Sequence, residues 1–208
     1  MTDDTLTVFS DFVCPFCYLG RASLRRYLEE AADPPEVEWQ FFDLRGYQRG
    51  PDGRLRDDVE DGKDEEYFEQ VRENVDRLRE RYGVEMVDLD AVPDADSWDA
   101  QQAALHVRQT REPETFEAFY HGLFDALWRD ARDVSDPDVL ADVAAEAGAD
   151  PAAVRDAVDD ERLEADLRSR FEEAEDLGVT GIPTFVYGGH AARGAVPPAQ
   201  LRRLVEGD

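Results

Sequence analysis

The chain has 208 residues, 42% of them hydrophobic, and a formal net charge of −27 from 50 acidic and 23 basic side chains. That charge excludes the basic footprint nucleic-acid phosphates require and argues against binding to anionic membrane surfaces. Charge alone would permit disorder, but 11 Phe, 7 Tyr and 3 Trp, with apolar positions recurring at helical and strand spacings, indicate a folded chain.

Lys63 is the only lysine; every other basic residue is arginine. An acidic, lysine-poor surface resembles proteins of organisms that hold molar salt in the cytoplasm, where screening over about 3 Å removes most self-repulsion. The N-terminus, Met1-Thr2-Asp3-Asp4, is acidic and leads straight into a strand, without a basic or an apolar leader segment. Nowhere do 18 apolar residues run uninterrupted, so no membrane helix is expected and a cytoplasmic protein is.

In chain order, residues 5–9 read as a buried strand. A helix follows from about Pro15 to Ala31, with Leu19, Leu24 and Leu28 inward and Arg21, Arg25 and Arg26 mostly outside, stopped by Asp33-Pro34-Pro35. Val37, Trp39 and Phe41 alternate with Glu38 and Gln40 as in a strand. A strand, helix and strand joined this way form a right-handed unit with parallel strands. Residues 45–62 are polar and glycine-containing and read as a loop. A long helix is predicted over 64–82, with Tyr67, Phe68, Val71, Val75, Leu78 and Tyr82 as one stripe and Gly83 ending it.

Further helices are expected at about 97–111, 113–130, 136–147, 151–158 and 160–177, the last with Leu177 on its apolar face and Gly178 after it. No strand is expected between 62 and 158. Val179 to Tyr187 returns to strand composition, Gly188-Gly189 signals a hairpin, His190 to Arg193 returns, and Pro198 opens a terminal helix. The expected organisation is a discontinuous α/β core, 1–61 and 159–208, around an inserted all-helical domain, 62–158.

Cys14 and Cys17 are the only cysteines, three positions apart at the first strand-to-helix junction. With Pro15 in the first helical turn, Cys14 sits where unpaired amides and the positive end of the helix dipole stabilise a thiolate. Cys14 is the expected nucleophile, and the more exposed of the two; Cys17, one turn later, is the expected resolving thiol. Pro15 and Phe16 tune that thiolate, and Asp11 opposes it if its carboxylate points inward. Zinc competes for any C-x-x-C pair, but a structural site needs four ligands, and His106, His121 and His190 are scattered, so no metal is expected. His121, among aromatics, reads as a packing residue. Trp98, Trp128 and Tyr18 read either as groove-lining or as core, and the charge run 57–66 as solvated surface.

The order of elements resembles the thioredoxin fold with a large helical insertion. Asp11-Phe12-Val13-Cys14-Pro15-Phe16-Cys17-Tyr18-Leu19-Gly20 resembles the opening motif of the DsbA family, specifically its FrnE-like branch of dithiol–disulfide isomerases. Gly178-Val179-Thr180-Gly181-Ile182-Pro183-Thr184-Phe185 is similar to the family's second signature. The resemblance implies a cis bond before Pro183, packed against the sulfurs, with the Ile182 backbone orienting an extended substrate. Pro15, Phe16, Ile182 and Pro183 are then the expected substrate contacts. Asp99-Ala100 is followed by Gln101 where members of this branch often carry histidine, and His106 further on receives no catalytic role.

The function this implies is thiol–disulfide exchange on protein or small thiol and disulfide substrates, without a bound cofactor. The alternative within the fold is a glutathione-dependent isomerase or transferase, like 2-hydroxychromene-2-carboxylate isomerase or the kappa-class transferases. Retention of both cysteines argues against it, because the second would expel glutathione. A third reading is a holdase whose helical lobe grips unfolded chains.

Overall fold

A computed structural model describes residues 4–50, 53–56, 58, 59, 62 and 64–207. Strand β1 (Thr5–Ser10) pairs in parallel with β2 (Glu36–Phe41), Thr5 opposite Glu36 and Ser10 opposite Phe41. Between them runs helix α1 (Pro15–Glu30). On its other edge β1 pairs antiparallel with β3 (Thr184–Tyr187), which turns back into β4 (His190–Arg193). The sheet order is therefore β2-β1-β3-β4. Gly188 and Gly189 both take positive φ, as the two-residue turn requires.

The chain between β2 and β3 contributes α2 (Glu65–Tyr82), α3 (Trp98–Thr110), α4 (Pro113–Trp128), α5 (Pro137–Ala147), α6 (Pro151–Ala157) and α7 (Glu161–Asp176). Helix α8 (Pro198–Glu206) closes the fold against α1, β3 and β4. The abundant aspartates have a local structural use here. Asp64, Asp136, Asp150 and Asp160 each accept a backbone N–H at the start of a helix, a cap worth about 1 kcal/mol. Prolines occupy the first turns of α1, α4, α5, α6 and α8, where no N–H is needed.

An aromatic cluster ties the sheet to the helices. Tyr120 of α4 packs on Phe12, Trp39, Phe116 and Phe124, with ring centroids 4.9–5.6 Å apart. Its hydroxyl shares a 2.7 Å hydrogen bond with Ser10 Oγ at the end of β1.

Four expectations are corrected. Tyr67 and Phe68 are each 45% exposed: α2 is buried through Val75 and Tyr82 in its C-terminal half. Leu177 is 56% exposed, because α7 ends at Asp176 and Gly178 turns the chain with φ 76°. Residues 179–183 are irregular, and β3 starts only at Thr184.

Arg21 is engaged rather than solvated, since it pairs with Asp125, whereas Arg25 and Arg26 are exposed as expected, Arg26 while donating to the Tyr82 carbonyl at 2.7 Å. The polar stretch after β2 is anchored as well. Arg49, with a side chain only 6% exposed, bridges Asp43 and Asp96 and lies 4.5 Å from the Trp98 ring centroid. The Arg168 guanidinium also lies 4.6 Å from the Trp98 ring centroid. Part of the charge run 57–66 lies outside the described residues.

Candidate active site

The first strand delivers the chain to a short loop that ends in the two cysteines. Cys14 is the N-cap of α1, in extended conformation, and Pro15 is the first helical residue. The Cys14 carbonyl accepts the N–H groups of Cys17 (3.0 Å) and Tyr18 (3.3 Å), so the helix begins at once and stacks Cys17 one turn from Cys14. Both cysteines are free thiols. Each is 3% exposed, so Cys14 is as buried as Cys17 and not the more open of the pair. The cover comes from the second signature segment, since Cys14 Sγ points at the Ile182 carbonyl, 3.9 Å away.

The Ile182–Pro183 peptide bond is cis. The Pro183 carbonyl accepts the Gly194 N–H at 2.8 Å, and Thr184 Oγ1 donates to the Gly181 carbonyl at 2.6 Å, which fixes the segment on both sides. Pro183 packs against Gly20 of α1, where an added Cβ would lie 3.0 Å from Pro183 Cγ. Only glycine lets the cysteine helix approach the proline this closely. Gly20 belongs to the opening motif, but nothing in its local spacing signals a partner 163 positions away. Pro15, Phe16 and Ile182 are half-buried and sit at the edge of this arrangement, while Pro183 is buried.

Asp11 does point inward. Its Oδ1 accepts the Val13 N–H at 3.2 Å and its Oδ2 the Leu44 N–H at 2.8 Å. Burial nevertheless dominates and pushes its carboxyl up to about 7. The Cys17 thiol is raised well above the ordinary cysteine value, chiefly by burial, then by the hydrogen bond and charge of Cys14, with the Asp11 carboxylate also raising it. Asp11 therefore acts electrostatically on Cys17.

The remaining candidates divide clearly. Trp128 is a support of the cysteine loop: its Nε1–H donates to the Phe12 carbonyl at 2.7 Å, two residues before Cys14. Tyr18 turns away and donates to the Glu85 carbonyl at 3.1 Å. His106 is half-buried on α3, and His121 packs edge-on to Trp39 at 5.3 Å. Sequence reading missed the roles of Gly20 and Leu44, which exist only through contacts across the fold.

Chemically, the arrangement offers two stacked thiols at a helix N-terminus, a covering backbone segment with one carbonyl on the first sulfur, and a buried carboxyl that titrates near neutrality.

The DSBA-like thioredoxin domain family matches this chain over residues 5–206. YwbO, an uncharacterized protein of Bacillus subtilis, is 28% identical over 191 residues, covering 91% of this chain and 90% of that protein. A probable DsbA oxidoreductase from Streptomyces coelicolor has a similar structure, with a TM-score of 0.80 and 25% identity over 98% of this chain and 90% of its own. A 2-hydroxychromene-2-carboxylate isomerase shares the fold at a TM-score of 0.76 and 16% identity, over 98% of this chain and 93% of its own.

Proposed function

This chain belongs to the DSBA-like thioredoxin domain family, and from that premise we propose that it is a thiol–disulfide oxidoreductase acting through a mixed disulfide on Cys14. The observation that carries the reading is the pair itself: two free thiols one helical turn apart, the first at the N-cap of α1 and facing the Ile182 carbonyl.

In the reducing direction, the Cys14 thiolate attacks one sulfur of a substrate disulfide. The Cys14–substrate S–S bond forms, the substrate S–S bond breaks, and the departing thiolate takes a proton. Cys17 then loses its proton and attacks Cys14 Sγ. The intramolecular disulfide forms and the second substrate thiolate leaves, so the substrate gains two electrons and the enzyme loses two. Isomerisation uses the first step and its reversal.

The residues around the pair have graded roles in this scheme. Helix α1 presents Cys14 at its N-cap. Cys17, raised by burial, stays protonated until the mixed disulfide forms, and Asp11, titrating near 7, is a nearby group able to hold the released proton. Ile182 and Pro183 flank Cys14 and offer backbone to an extended substrate. Phe16 and Pro15, half-buried at the rim, supply apolar contact. Glutathione is an acceptable small substrate in the same scheme, and no bound cofactor is needed.

Equilibration with defined thiol buffers, followed by alkylation and mass spectrometry, tests the reading. A single reversible Cys14–Cys17 disulfide is expected. A potential near about −250 mV or below would assign a reductase, and one above about −180 mV an oxidant or isomerase. A stable glutathione adduct without any intramolecular disulfide would replace this reading with the glutathione-dependent isomerase or transferase.

A further inference from the structure

Gln101, near the start of α3, is completely buried, and its amide is committed as a donor. Its Nε2 donates to the Phe42 carbonyl at 3.2 Å and to Ser97 Oγ at 3.1 Å. A carbonyl can only accept, so the nitrogen is the end that faces Phe42. The opposite end, Oε1, is buried without a hydrogen-bond partner among the described residues. An acceptor left unpaired in the interior costs stability that an apolar side chain would not forfeit. The benefit lies at the donor end, in the backbone just after β2.

Phe42 is the first residue beyond β2, and its backbone is held on both sides. Its N–H donates to the Ser10 carbonyl at 3.1 Å, while its carbonyl accepts from Gln101. Two residues later the Leu44 N–H donates to Asp11 Oδ2 at 2.8 Å. Arg49 holds the intervening Asp43 by its carboxylate, so Gln101 is the side-chain donor to the backbone of residues 42–44 among the described residues. Asp11 thus receives one local N–H, from Val13 at 3.2 Å, and one distant N–H whose placement depends on α3.

The distant N–H bears on the chemistry of the cysteines. Burial raises the Asp11 carboxyl, and hydrogen bonds oppose that rise by favouring the charged form. The titratable groups around it are Cys17 on α1, Tyr120 on α4 and Asp43 after β2, none of them cationic. Its ionisation therefore follows the donors it meets. Gln102, the next residue, has a different task. It is also buried, but its Nε2 donates to the Ala157, Val158 and Asp160 carbonyls at 2.8, 3.2 and 3.0 Å, joining α3 to the turn between α6 and α7.

We propose that Gln101 is a positioning residue of the dithiol site. By fixing the Phe42 peptide it aims the Leu44 N–H at Asp11, and so keeps Asp11 able to take the proton that Cys17 releases. The proposal rests on the thiol–disulfide reading and adds to it a side chain that couples α3 to the resolving step.

The test compares Gln101→Met, which keeps the length and removes both donations, with Gln102→Met as the structural control. NMR follows the Leu44 amide as pH is raised through neutrality. In wild type it should titrate with Asp11 at about 7, and the transition should vanish in Asp11→Asn. Gln101→Met is expected to raise the midpoint by about one pH unit, because a carboxylate deprived of a donor is harder to ionise. Gln102→Met should keep the wild-type midpoint. Single-turnover reaction with dithiobis(nitrobenzoate) reads the same group in the chemistry. The second nitrothiobenzoate leaves when Cys17 attacks Cys14, and the pH midpoint of that step should move with the NMR midpoint. If Gln101→Met does not fold, Gln101→Asn, whose amide is drawn one methylene back from Phe42, decides with the same expectation. A wild-type midpoint by either readout, or an equal rise in Gln102→Met, would overturn the proposal. Absence of the second release in wild type would instead overturn the thiol–disulfide reading.

Discussion

Gly20 and Pro183 touch: a methyl group added at Gly20 would stand 3.0 Å from Pro183 Cγ and 3.4 Å from Phe185 Cζ. Through this contact the helix that starts at the cysteines rests directly on the proline segment that covers them. The distance between the two halves of the site is thereby set by the absence of one side chain.

Gly20→Ala tests that contact. Alanine gains up to about 1 kcal/mol over glycine in a helix interior, but overpacking against a ring that cannot rotate away costs about 1–3 kcal/mol. A net loss of about 1 kcal/mol is expected in urea denaturation, with slower formation of the Cys14–Cys17 disulfide. Unchanged disulfide kinetics would show that the helix can shift without consequence for the site.

Cys17→Ser should strand the reaction at its first step. With Cys14 alone, the mixed disulfide forms and nothing resolves it, so an adduct with the substrate thiol accumulates, while Cys14→Ser yields none. Intact-mass spectrometry after exposure to a small disulfide reads both outcomes. An adduct on Cys14→Ser would reverse the assignment of the nucleophile.

Asp11 should leave a signature in the pH dependence of stability. Its folded value of about 7 is raised above the ordinary 3.8 by burial, so the native chain keeps this proton while the unfolded chain releases it. Stability from this group is fully present below the unfolded value and is lost as pH rises through the folded one. Wild type should therefore lose up to about 4 kcal/mol relative to Asp11→Asn between about pH 4 and 7. Urea denaturation of both proteins across that window checks it; the many surface carboxylates cancel in the difference. Parallel stability profiles would mean that Asp11 ionises without penalty.

The formal charge of −27 predicts strong salt dependence. Raising KCl to about 1 M shrinks the screening length to about 3 Å and removes most long-range repulsion, so the melting temperature should rise. A melting temperature indifferent to dilution from molar to low salt would detach the acidic composition from any adaptation to salt.

What the sequence by itself determined about this protein is what neighbouring residues can encode. Prolines and aspartates at helix starts, the Gly188-Gly189 turn, the alternation of Val37, Trp39 and Phe41, and two cysteines at a strand-to-helix junction are local signals. The strands and helices appear near the places these signals predict. Tertiary structure alone decided which groups water reaches. Cys14 is covered because the Ile182 segment folds over it, and Asp11 is raised because the packed chain buries it, which outweighs the Leu44 N–H that favours its charged form. Arg49 is buried with Asp43 and Asp96 converging on it, whereas Tyr67 and Phe68, placed on an apolar stripe, stay 45% exposed. Periodicity states which side of an element is apolar. Solvation, and with it the acidity of each group, depends on partners that only the packed chain brings within a few ångströms.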